Sequence, residues 1–109
     1  MTTEERLQHL AVKINDQPEQ IQGLERRYHF ELTPEGRYGV FFSGGQVTVE
    51  TDPTPDEDAC TLKMSEAHLG KLLDGNLNPT VAFMTGQLKV DGQPGHALKL
   101  HQILKTYSN

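Results

Sequence analysis

The 109-residue sequence has no tryptophan and a single cysteine, Cys60, and only 35% of its residues are apolar. Any core must therefore be drawn from Leu, Val, Phe, Tyr and Met at well-chosen positions, and no internal disulfide can hold it. No apolar run approaches the length needed to span a bilayer, and Met1-Thr2-Thr3-Glu4-Glu5-Arg6 lacks the basic start and apolar stretch of a secretory signal. The C-terminal Thr106-Tyr107-Ser108-Asn109 carries neither a peroxisomal nor a lipidation signal. With the lone cysteine, these absences predict a cytoplasmic protein. A basic stripe is missing too. Residues 1–62 hold five Lys/Arg against twelve Asp/Glu, residues 63–109 hold five against three, and the net charge is -5. Nucleic acid is excluded as a partner on that balance. The mildly basic C-terminal half still suits a transient contact with an anionic membrane surface.

The familiar marks of catalysis are also wanting. His9, His29, His68, His96 and His101 include no pair at the i, i+4 spacing that sets two ligands on one helical face, so they read as surface or capping residues and no metal site is expected. Asp52, Asp56, Glu57 and Asp58 crowd one loop, but two prolines interrupt the run and the calcium-loop spacing is not met, which leaves a solvated acidic loop. Cys60 falls at an inward position of a strand, where a small buried thiol is expected rather than a reactive one. Nucleophile elbows, Walker loops and dinucleotide glycine patterns are absent, and Ser43-Gly44-Gly45 is a hairpin turn. No catalytic residue and no cofactor are predicted.

What the sequence does contain is periodicity. Leu7, Leu10, Ala11 and Ile14 recur at helical spacing between Thr3 and Asn15, with Thr2 or Thr3 as the cap. After an ambiguous stretch to Glu25, alternation takes over from Arg27, with Tyr28, Phe30 and Leu32 on one face of a strand. Turns at Thr33–Gly36 and Ser43–Gly45 separate it from strands at Arg37–Phe42 and Gln46–Thr51, which places Tyr38, Val40, Phe42, Val47 and Val49 on a common side. A fourth strand carries Cys60, Leu62 and Met64 inward. Ser65 caps a helix with Leu69, Leu72 and Leu73, Asn78-Pro79 opens a short helix to Met84, Gly86–Asp91 forms a fifth strand, and Gly95–Tyr107 a last helix. The order is helix, four strands, two helices, strand, helix. It predicts an α+β fold over residues 1–109 as one domain, a largely antiparallel five-stranded sheet with helices covering one face.

Phe83, Met84, Leu88, Val90, Leu98, Leu100, Ile103 and Leu104 lie close together in this last part of the chain. Read from the residues alone, they fill a core. The run from Leu77-Asn78-Pro79 through Phe83, Gly86-Gln87-Leu88-Lys89-Val90-Asp91-Gly92 and Ala97-Leu98-Lys99-Leu100 resembles the C-terminal signature of the sterol carrier protein family. Upstream, Cys60–Ser65 and Leu72-Leu73-Asp74-Gly75 resemble its fourth strand and following helix. Gln87 departs from the pattern, standing where a basic residue is common, as does the tight Pro94-Gly95 start of the last helix.

That resemblance implies an apolar tunnel between sheet and helices that accepts a lipid or other long apolar molecule, with no enzymatic step. The residues assigned to its lining are Phe41, Phe83, Met84, Leu88, Leu98, Leu100, Ile103 and Leu104. Binding and intracellular transfer of a sterol, a fatty acid or acyl thioester, or a phospholipid is the function it implies, by a monomer or homodimer. The other reading it leaves open is an accessory or dimerisation module that shapes the pocket of a partner enzyme. A connected apolar cavity would favour the first, and a filled core with an exposed apolar patch the second.

Overall fold

The computed structural model describes residues 2–107; Met1, Ser108 and Asn109, and with them part of the C-terminal stretch read for targeting signals, lie outside the described residues. The first helix, α1 (Thr3–Asp16), begins in a capping box: the Glu5 amide donates to Thr2 Oγ1 at 3.1 Å and the Thr2 amide to Glu5 Oε1 at 2.9 Å. Its single apolar stripe buries Leu7, Ala11 and Ile14. The ambiguous stretch that follows forms a short 3-10 turn, Pro18–Ile21, whose Ile21 is fully buried. One apolar side chain without a periodic neighbour gave no sign of this in the sequence.

Strands β1 (Arg26–Thr33), β2 (Arg37–Ser43) and β3 (Gln46–Thr51) form the expected meander. The two-residue turn between β2 and β3 has Gly44 and Gly45 both at positive φ, 62° and 77°, as a hairpin of that length requires. The chain then passes to the other side of the meander, and β4 (Cys60–Ser65) pairs with β1 in parallel, setting Tyr28 opposite Cys60 and Phe30 opposite Leu62. The sheet order is β3-β2-β1-β4-β5, antiparallel except at that junction.

Helix α2 (Glu66–Leu73) starts at Ser65, whose Oγ accepts from the His68 amide, and α3 (Pro79–Met84) starts at Asn78, whose Oδ1 accepts from Thr80 and Val81. The fifth strand is shorter than its alternation predicts. β5 spans only Lys89–Asp91. The amides of Gln87 and Leu88 both donate to the Ala82 carbonyl, and Gly86 sits at φ 80°, so the backbone still closes off α3 where the ladder was expected. Leu88 is buried all the same. The last helix, α4 (Pro94–Tyr107), begins one residue earlier than expected, at a proline that loses no needed donor there.

The helices share one face of the sheet with Tyr28, Phe30, Val40, Phe42, Leu62 and Met64, which are all buried. On the opposite face the acidic loop is not simply solvated: Asp56 and Asp58 pair with Arg27 at 2.9 and 3.8 Å, and Asp52 with Arg37 at 3.4 Å. His29, read from sequence as a surface or capping residue, is buried on this same face. Gly39 stands opposite it, and the ring of Phe41 lies back over Gly39 and meets the imidazole edge-on, with centroids 5.8 Å apart. A glycine on the neighbouring strand thus makes the space that covers the histidine.

Asn15, at the end of α1, supplies what the edge strand lacks. Its Nδ2 donates to the Val47 carbonyl and its Oδ1 accepts from the Val47 amide, both at 2.8 Å, so a side-chain amide occupies outward-facing groups of β3. Asn15→Ala is expected to lower stability by about 1–2 kcal/mol, measured by urea unfolding with an unchanged m-value. A pH dependence is expected from α4. Burial, and secondarily Lys105, holds His101 below its ordinary value, and His101 Nδ1 is buried without a hydrogen-bond partner among the described residues. The unfolded chain then takes up its proton first as pH falls, so the stability is full above the ordinary histidine value and declines below it. Between about pH 7.5 and 5.5 the Tm should fall, and His101→Gln should flatten that decline relative to the wild type.

Candidate functional site

The apolar side chains of α1, the sheet and α4 meet in one seam. Leu7, Ala11 and Ile14 of α1 face Phe30, Val40 and Phe42, with Leu100 and Leu104 of α4 closing the third side. The lining is almost wholly apolar, but the free space inside amounts to about 10 Å³, room for no more than one water molecule. Where the sequence resemblance implies a tunnel, this structure has two layers in contact. Leu10 and Val49, both partly exposed, belong to the same lining, so the seam reaches the molecular surface beside α1.

An open groove of about 530 Å³ adjoins it there, lined by Arg6, His9, Leu10, Lys13, Asp74 and Tyr107 among others. Leu10 and Leu73 belong to both linings. The groove carries the cations of Arg6 and Lys13 on one helix face, with Asp16 and Asp74 among them, and Arg6 is paired with Asp74. Apolar seam and charged groove together have the layout of a site for an amphipathic molecule: a tail against the leucines, a polar end in water among ionic groups.

Polar links fix the helices that bound the seam. α1 is tied to α2 by Thr3 Oγ1 donating to Glu66 at 2.7 Å and by Arg6 on Asp74, and to β3 by Asn15. α4 is held at both ends. Near its start the Tyr28 hydroxyl donates to the His96 carbonyl at 2.7 Å; at its end the Tyr107 hydroxyl donates to the Gln17 carbonyl and accepts from the Gln20 amide at 3.4 Å. Burial pushes the Tyr28 phenol up to about 12, so this latch keeps its proton throughout the ordinary pH range. Burial likewise raises the Cys60 thiol, which packs beneath the Gln93 carbonyl as an inert apolar group.

Of the eight residues assigned from sequence to a ligand tunnel, Leu100 and Leu104 line the seam. Leu88 and Ile103 are buried in the core outside that lining. Phe83, Met84 and Leu98 are on the surface, Met84 with 79% of its area exposed. Phe41 lies on the far face of the sheet against His29. Among the seam residues that the assignment omitted, Leu7, Leu10, Ala11 and Ile14 of α1 carry a clear helical period, and Phe30, Val40, Phe42, Val47 and Val49 a clear strand alternation. Periodicity places them inward but says nothing of which inward residues border a ligand. Among the described residues, no group of three His, Cys, Asp or Glu side chains could hold a metal ion, and no helix is long and apolar enough to cross a membrane.

Comparison with known proteins matches residues 5–105 to the SCP-2 sterol transfer family. Sterol carrier protein 2 of Gallus gallus is 39% identical over 59 residues, which is 54% of this chain and 10% of that protein. A sterol carrier protein domain of Helicoverpa armigera superposes with a TM-score of 0.73 at 24% identity, over 95% of this chain and 86% of that one. The inverting sec-alkylsulfatase Pisa1 from Pseudomonas sp. contains the same fold, with a TM-score of 0.83 at 15% identity over 100% of this chain and 17% of its own. The chain thus spans a tenth of the curated carrier protein and about a sixth of the sulfatase.

With so little free space in the seam, Leu104→Trp cannot be accommodated without parting α4 from α1 or from the sheet. The variant is expected to lose about 1–3 kcal/mol of stability in denaturant unfolding. Near-normal stability would mean that the two layers separate at little cost.

Proposed function

The chain belongs to the SCP-2 sterol transfer family, and we propose on that footing that it binds a long apolar or amphipathic lipid between α1, α4 and the sheet, without a catalytic step. The observation that carries this reading is the continuity of the apolar seam with the charged groove through Leu10 and Leu73. The tail of a fatty acid, acyl thioester or phospholipid takes the place of contacts between α1 and the sheet, and its polar end stays in the groove beside Arg6, His9 and Lys13.

Opening the seam costs apolar contact, and the ligand returns it. Ten buried methylenes contribute about 8 kcal/mol of gross transfer free energy, comparable to the burial lost when one helix face parts from a sheet. The polar ties of α1 are side-chain bonds at or near the surface, worth about 0.5–1.5 kcal/mol each, so they restrain the helix without locking it. In this reading α1 moves and α4 stays, latched by Tyr28 at one end and Tyr107 at the other.

A second reading has its own support, since the seam is filled and Val81, Phe83 and Met84 form an exposed apolar patch, the combination that favours a module over a carrier. The same fold occupies about a sixth of the Pisa1 chain and this sequence matches a tenth of a longer carrier protein, so a role as an accessory or dimerisation module that shapes a partner enzyme's pocket is the competing proposal. Titration with a fluorescent fatty acid, a sterol analogue and a fluorescent phospholipid separates the two. Saturable binding of at least one at micromolar or lower concentration, with a ligand-dependent rise in Tm, is expected. Absence of saturable binding in all three classes would remove the carrier reading and leave the module.

A further inference from the structure

Three apolar side chains face water on one short helix. α3 is six residues long, about 9 Å, and only Pro79 and Ala82 of it are buried; Val81, Phe83 and Met84 are 54%, 49% and 79% exposed. From Gly75 to Val90 the sequence contains no carboxylate, and Lys89 is its only charge. Immediately after α3, residues Gly86, Gln87 and Lys89 help line an open depression of about 490 Å³ together with Lys63, His68 and Glu31. There Lys63 of β4 stands directly opposite Lys89 of β5. Like charges at opposed positions of an antiparallel pair repel. Glu31 stands beside Lys63 in the sheet and Asp91 two residues beyond Lys89, yet among the described residues neither lysine lies within ion-pair distance of a carboxylate. An apolar projection and a pair of cations that outnumber the one neighbouring carboxylate, Glu31, therefore lie next to one another.

We propose that the exposed face of α3, with the Lys63–Lys89 pair beside it, is a docking surface for an anionic lipid bilayer. Val81, Phe83 and Met84 enter the headgroup region, and the two ammonium groups meet lipid phosphates or carboxylates. Three side chains on a 9 Å helix fall well short of the roughly 800 Å² per partner of a stable protein interface, whereas shallow insertion into lipid needs no such area. Another exposed apolar residue, Val12 on α1, lines the groove of Arg6, His9 and Lys13, but Asp16 and Asp74 stand there too and Arg6 is paired with Asp74. The inference rests on the carrier reading for its purpose, since a carrier exchanges its cargo at a membrane, and it locates where that exchange is made.

The test is co-sedimentation with vesicles of phosphatidylcholine alone and of phosphatidylcholine with phosphatidylserine. The wild type is expected to bind the anionic vesicles about tenfold or more tightly than the neutral ones, less so as salt is added. Phe83→Ser with Met84→Ser, and separately Lys63→Gln with Lys89→Gln, should each abolish most of that binding. All four positions are exposed, so the Tm should not fall in either variant, and loss of the Lys63–Lys89 repulsion should raise it in the lysine variant; the binding of a soluble fluorescent fatty acid without vesicles should stay at the wild-type value. Equal affinity for both vesicle types, or either double variant binding as the wild type does, overturns the proposal. So does a self-association seen in sedimentation velocity that the Phe83/Met84 variant removes while vesicle binding persists, because the face is then a protein interface. If vesicle docking behaves as expected but no soluble lipid is bound, the docking surface stands and the carrier reading fails.

Discussion

A single apolar layer holds this molecule together, and nearly everything else follows from its being single. With little apolar material to spend, the chain buries one face of its sheet and leaves the other polar, pairing Arg27 and Arg37 with the acidic loop. The helices have no second layer to pack against. α1, α2 and α4 all rest on the same strip of Phe30, Val40, Phe42, Leu62 and their neighbours, so the seam between α1, α4 and the sheet is part of one continuous core. A ligand that enters such a protein competes with the fold's own packing. In the proposed reading, stability and capacity to bind are two uses of one surface, and a seam with 10 Å³ of free space admits a ligand only by giving up contacts of its own.

This balance explains where polar bonds are invested. A core of one layer fixes the distance between helix and sheet poorly, because apolar contact has no direction. Directional bonds supply the missing restraint: Asn15 on both backbone groups of Val47, Tyr28 on His96, Tyr107 on Gln17. Each joins a helix end to a neighbour rather than a helix middle to the sheet. The middles, where Ala11 and Leu100 line the seam, are held by apolar contact and can part without leaving a buried donor unpaired.

Much of the architecture was legible before the structure, and the reason is that alternation and helical stripes report which way a side chain faces. The stripe of α1, the inward residues of β1 to β4 and the caps at Thr2, Ser65 and Asn78 all follow from local chemistry. What escaped is what depends on a neighbour distant in sequence. The burial of His29 needs Gly39 and Phe41 on the next strand, and the shortening of β5 needs the Ala82 carbonyl. The site was less legible than the fold. Facing inward is necessary for lining a ligand but far from sufficient, so Leu100 and Leu104 fell within the seam while Leu88 and Ile103 fell in ordinary core. Phe83, Met84 and Leu98 misled for the opposite reason: apolar residues clustered in sequence suggest a common interior, and α3 is too short to have one.

A six-residue helix can bury two side chains at most when it sits on the rim of a single-layer core, and α3 buries Pro79 and Ala82. The remaining apolar groups are about half exposed or more, Met84 most of all, so the fold draws less on them than on its buried residues. Their presence in an otherwise polar sequence, in a stretch without carboxylates, is therefore not a demand of packing. It parallels the opposed lysines of β4 and β5, which the sheet would be more stable without. Two local features that each fail to serve stability, set side by side, share one explanation more economically than two. The layer that makes the core is finished without them, so neither feature is accounted for by the packing of the folded chain.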